Sequence, residues 1–133
     1  MTIALRVLTA VALVGVAVVH LRIADGYTAI GTHPLAIGDQ FYVQAALAFL
    51  LAAAVLVRPA ALVWAACALF AIGSLAVLVY SRYRPLPVYG FAGGFQESWE
   101  VEGAKLAAAF ESAAVVLSLL GGALAVGGRA SAR

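Results

Sequence analysis

The stretch AKLAAAFESAAVVLSLLGGALAV, residues 104–126, decides the fold. It is apolar over a length that crosses a bilayer, since about 20 helical residues at about 1.5 Å each span the hydrocarbon core. Inside it sits Glu111. A carboxylate at the bilayer centre costs about 2.5–3.5 kcal/mol on insertion scales, and less near the interface. Glu111 therefore needs a partner, a cavity or a proton. The polar run before it, residues 94–105, holds Glu97, Trp99, Glu100, Glu102 and Lys105 and reads as a solvated helix entrance.

Three further apolar runs precede this one, over residues 3–23, 41–57 and 60–80. The first is too long for a leader peptide and lacks a good small-x-small cleavage site, so it reads as a span. Residues 24–40, rich in Gly and carrying His33-Pro34, Asp25 and Asp39, read as a loop. Arg58-Pro59 makes a tight connection, with Pro59 suited to a helix's first turn. Pro85 and Pro87 end the third span. The loop after them carries Tyr89, Phe91, Phe95 and Trp99, aromatic residues suited to the headgroup level or to a lid. Gly127-Gly128 closes the fourth span, and a polar tail follows over residues 129–133.

Composition agrees. The 133 residues are 65% hydrophobic and 11% charged, with a mean hydropathy of +1.07. A soluble domain is nearer half apolar and about a quarter charged. The expected fold is all-α: an integral membrane four-helix bundle, up-down-up-down, in a single membrane domain over residues 1–133. Both termini then lie on one side. The Lys/Arg count is tied between the faces: Arg6, Arg58, Arg129 and Arg133 against Arg22, Arg82, Arg84 and Lys105. Short tails and a short connector suit termini in the cytoplasm of a plasma-membrane protein.

Several chemistries are excluded. Cys67 is the single cysteine, so no intrachain disulfide, C-x-x-C redox pair or multi-cysteine metal site is available. No nucleotide loop, G-x-S-x-G or H-E-x-x-H motif occurs. His20 in a helix and His33 in a loop are poorly placed for a bis-histidine haem. His20, Glu100 and Glu111 have no recognisable metal spacing. A net charge of +2 without a dense basic patch argues against nucleic acid. No metal, cofactor or catalytic motif is expected, and the chain leans away from being an enzyme.

Depth counting gives the candidate site. With antiparallel spans, His20, Gln44, Tyr80 with Ser81, and Glu111 fall in one slab near the loop-side interface. Helical phase groups Thr9, Val16 and His20; Cys67, Ser74 and Ser81; and Glu100, Glu111, Ser118 and Gly122. The Cys67, Ser74 and Ser81 stripe reads as packing, as Ser and Cys in membrane helices usually do. So does the Ala-rich face Ala45, Ala46, Ala48, Ala52 and Ala53. Arg82 is the cation expected to meet Glu111. The primary candidates are His20, Gln44, Arg82 and Glu111, with Tyr80, Ser81, Trp99 and Glu100 as secondary ones.

Val18–Leu21, Phe41–Ala45, Tyr80–Arg82, Glu97–Glu100 and Glu111 carry a resemblance across the whole length. The chain resembles a loose group of small four-span, Ala/Val/Leu-rich integral membrane proteins of actinobacterial type. The resemblance implies a fold and an architecture and no reaction, and it draws attention to His20, Gln44, Arg82 and Glu111.

Two functions fit these residues. One is a structural or accessory bundle packing with a larger membrane complex or with a second copy in the lipid bilayer. The other is a small-molecule, quinone-like or proton-linked site in the polar layer, with Glu111 as the acid–base group and His20 as its partner.

Overall fold

The computed structural model describes residues 3–130, and side chains over residues 3–128. Its helices are α1 (Ile3–Ala24), α2 (Ile37–Val57), α3 (Ala61–Tyr83) and α4 (Ala104–Ala130). All four are long and apolar enough to cross a membrane. That is compatible with a multi-pass membrane protein.

Three boundaries differ from the sequence expectation. Helix α2 begins at Ile37, because Gly38, Asp39 and Gln40 form its first turn and not the end of a loop. Asp39 suits that position, where exposed amide N–H groups leave a partial positive charge. Pro59 lies just before the N-cap of α3, Ala60, and not in the first helical turn. Helix α4 continues through Gly127-Gly128 to Ala130, so glycine does not end it. Residues 131–133 of the expected tail, Arg133 among them, lie outside the described residues, as does the side chain of Arg129.

The loop after α3 contains a small hairpin where the sequence predicts irregular chain. Strand β1 (Leu86–Val88) pairs antiparallel with β2 (Phe91–Phe95), with Leu86 opposite Phe95, Val88 opposite Phe91 and a bulge between. Gly94 has φ +75° at the bulge, where a side chain would also run into the Leu86 carbonyl. The Glu97 N–H then donates to the Ser81 carbonyl at 3.2 Å, which folds the chain back over the end of α3. The Thr32 N–H donates to the Tyr89 carbonyl at 3.0 Å, tying the first loop to the hairpin tip.

The helices close into a ring of contacts. Helix α1 packs on α2 and α4, and α3 packs on α4, while α2 and α3 touch much more sparsely. The core is built on Leu13, Val55, Trp64, Cys67 and Ala114. Trp64 is fully buried because Gly121 of α4 leaves the ring room against the helix backbone. Outside, Val11, Leu50, Leu69, Leu120 and Leu124 are all exposed. An exterior as apolar as this suits hydrocarbon and not water.

Candidate functional site

One polar side chain from each helix meets at the same depth. Gln44 of α2 donates through Nε2 to the Ser74 hydroxyl of α3. Ser74 donates in turn to Oε1 of Glu111 on α4. His20 of α1 places Nε2 3.9 Å from that same Oε1. Its other ring nitrogen, Nδ1, lies 2.8 Å from the Val16 carbonyl. A carbonyl only accepts, so Nδ1 carries a proton. Nε2 then turns either a lone pair or a second proton towards Glu111.

Glu111 is 1% exposed, and its second oxygen, Oε2, has no hydrogen-bond partner among the described residues. A buried acceptor left unmade costs about 1–3 kcal/mol, more if charged. A cavity of ≈ 90 Å³ lies beside it, lined by all of His20, Gln44, Ser74 and Glu111. A water needs about 10–15 Å³ of such space, so the cavity has room for water. The remaining walls are mostly apolar, with Ile23, Ile37, Leu78, Ala104 and Ala107 among them.

Aromatic rings form one side. His20 meets Phe41 edge-on at 5.1 Å between centroids, Phe41 meets Tyr27 at 5.2 Å, and Tyr27 meets Phe95 at 5.7 Å. These near-perpendicular pairings set the positive ring edge against the negative face. Glu97 joins the elements at the cavity's outer end. Its Oε1 accepts from the Tyr27 hydroxyl at 2.7 Å, and its Oε2 accepts from Arg82 Nη1 at 3.2 Å. The Arg82 guanidinium also donates to the Ser98 carbonyl at 3.2 Å and lies 5.6 Å from the Trp99 ring centroid.

The sequence candidates divide as follows. His20, Gln44 and Glu111 converge. Arg82 lines the cavity but pairs with Glu97 and not, as expected, with Glu111. The cause is the hairpin, which returns Glu97 to the end of α3 just where Arg82 emerges. Ser81 also lines the cavity, although its hydroxyl is bonded within its own helix to Leu78. Tyr80 is exposed on the outside of the bundle. Trp99 is not in the lining, and its ring lies beside Arg82. Glu100 is exposed and pairs with Lys105 at 3.2 Å. It precedes α4, so the helical phase that aligned it with Glu111 does not apply. Of the aromatic lid, only Phe95 lines the cavity, while Tyr89 and Phe91 are exposed.

Four contributors escaped sequence reading. Ser74 lay on the right face but was read as packing, and its position across from Glu111 was the available signal. Tyr27 sat in a presumed loop, Phe41 opened a presumed span, and Glu97 belonged to a presumed solvated cluster. Comparison with family models, curated proteins and solved structures found no match.

Proposed function

We propose that this is a plasma-membrane protein with a proton-linked binding site for a small ligand, in which Glu111 and His20 share one exchangeable proton. The helices run up-down-up-down, with both termini on the cytoplasmic side. Two contacts support the antiparallel order. Arg6, near the start of α1, donates to the Val55 carbonyl near the end of α2 at 3.2 Å, and Gly38, at the start of α2, abuts Ala24 at the end of α1.

The carrying observation is Glu111 Oε2, buried at a cavity with no hydrogen-bond partner among the described residues, while His20 Nε2 faces the other carboxyl oxygen. With Nδ1 protonated, one further proton serves the pair. It sits either on Glu111, leaving both groups neutral, or on Nε2, making an ion pair. Both arrangements carry zero net charge, the form least costly to bury. Adding or removing a proton charges the site, so anything that changes its surroundings shifts proton occupancy.

The cavity size narrows the ligand. A cavity of about 150 Å³ is known to hold benzene. At ≈ 90 Å³ this one is smaller, which favours a small head over a quinone ring. The accessory-bundle function has less support. It rests on small size, the Ala-rich face of α2 and the absence of catalytic motifs; of that face, Ala45 and Ala48 are buried within the chain against Val16 and Ala17 of α1, while Ala46 and Ala53 stay exposed.

Infrared titration of the full chain in lipid nanodiscs tests the proposal. The C=O band of a protonated carboxyl is expected to change with pH and to vanish in Glu111→Gln, with folded yield kept. A band indifferent to pH, or one that persists in the variant, rejects it.

A further inference from the structure

The cavity reaches the surface of the bundle between α2 and α3. Its lining includes Gln40 and Gln44 from α2 and Ser74 and Val77 from α3, the neighbouring helices with the sparsest contact. Val77 lines the chamber and is also 53% exposed on the outside of the bundle. Both helices lie in segments apolar enough to cross a membrane. Val77 therefore gives the cavity an edge on the apolar outside of the bundle, besides its outer end at Glu102 and Gly103.

Resting on the ligand-binding reading above, we propose that the occupant is a single-chain lipid alcohol. Its hydroxyl reaches Glu111 Oε2, and its chain leaves past Val77 along the seam between α2 and α3. Size favours a hydroxyl with its first methylenes over any ring. Hydrogen-bond chemistry favours it too. A hydroxyl both donates and accepts, so it satisfies Oε2 whether the shared proton is on Glu111 or on His20. An ether or ketone can only accept, and so fails when Glu111 is ionised. An anionic head would bring a second negative charge beside Glu111, and the Arg82 guanidinium in the lining is already paired with Glu97. Any charged head would also have to be desolvated among the aliphatic walls. The chain itself needs only an apolar slot, which the sparse seam supplies.

Equilibrium binding of tritiated hexadecanol to the purified full chain in detergent micelles tests this. Saturable binding of one molecule per protein is expected. Unlabelled hexadecanol should compete, hexadecane should not, and hexadecanoate should compete about tenfold more weakly or worse. Val77→Trp fills the rim and should weaken binding about tenfold or more, comparable to losing one hydrogen bond to a charged group. Val79→Trp, on the same helix but away from the cavity, should leave binding unchanged. Val77→Ala widens the rim and should bind no more weakly than the wild type, so the test does not depend on the tryptophan variant folding. Equal competition by hexadecane, unaltered binding in a folded Val77→Trp, or lost binding in Val77→Ala overturns the proposal. If hexadecanol fails to bind while Glu111 still titrates in the infrared, the lipid alcohol is wrong and the proton-linked site stands.

Discussion

Glu97→Leu is expected to lower unfolding free energy by about 3 kcal/mol, the lower part of the range for breaking a buried ion pair. The Arg82 side chain is 6% exposed, and Glu97 is its one carboxylate partner among the described residues. Removing Glu97 leaves the guanidinium without its counter-charge, with its Nε already lacking a hydrogen-bond partner among the described residues. The Tyr27 hydroxyl loses its acceptor in the same step. The lower part of the range applies because the Glu97 side chain is 20% exposed, so water can offset part of the loss. Arg82→Leu alone should also destabilise, because it strands the carboxylate. The double variant should recover part of the combined loss, as expected when two groups act on each other. Chemical unfolding in mixed micelles measures all three. Additive effects would mean that the pair is not coupled.

Ala107→Leu is expected to slow deuterium exchange at the Glu111 carboxyl at least about tenfold. Ala107 is 3% exposed, lines the cavity and lies one helical turn before Glu111 on the same face. A leucine there grows into the cavity beside Oε2 and leaves less room for water. Stability should move by no more than about 1–3 kcal/mol, because filling a void stabilises while overpacking strains. The exposed neighbour Ala109, changed to Leu, is the control and should leave exchange unaltered. Infrared spectra recorded after transfer into deuterium oxide give the rate. Unchanged exchange in Ala107→Leu would mean that Glu111 reaches solvent by another path.

The helices were legible because span length is a strong constraint: an apolar run of about 20 residues has few other uses. The depth of the site was legible for the same reason. Counting residues from the span ends places His20, Gln44 and Glu111 at one level without any knowledge of packing. What pairs with what was less legible. Ser74 looked like the packing serines common in membrane helices, and only the lateral position of α3 against α4 makes it the link between Gln44 and Glu111. The Arg82 partner is not legible without the hairpin. Its strands are three and five residues long, and Pro87 sits in the first, so alternation could not reveal them. Without that turn, Glu97 seems to belong to the solvent, while in the folded chain it holds together the ends of α1 and α3. The aromatic wall shows the same limit, since Tyr27 and Phe41 come from opposite sides of a loop whose closure is a tertiary fact.

The shared proton is tested most directly by nitrogen NMR of the His20 ring. The chain has two histidines, so His33→Asn leaves a single labelled imidazole. The expected result is that Nδ1 stays protonated across the pH range, held by the Val16 carbonyl, while the Nε2 signal moves with pH. Glu111→Gln should displace the midpoint of that movement. An Nε2 titration with the same midpoint in both proteins would contradict a proton shared between His20 and Glu111.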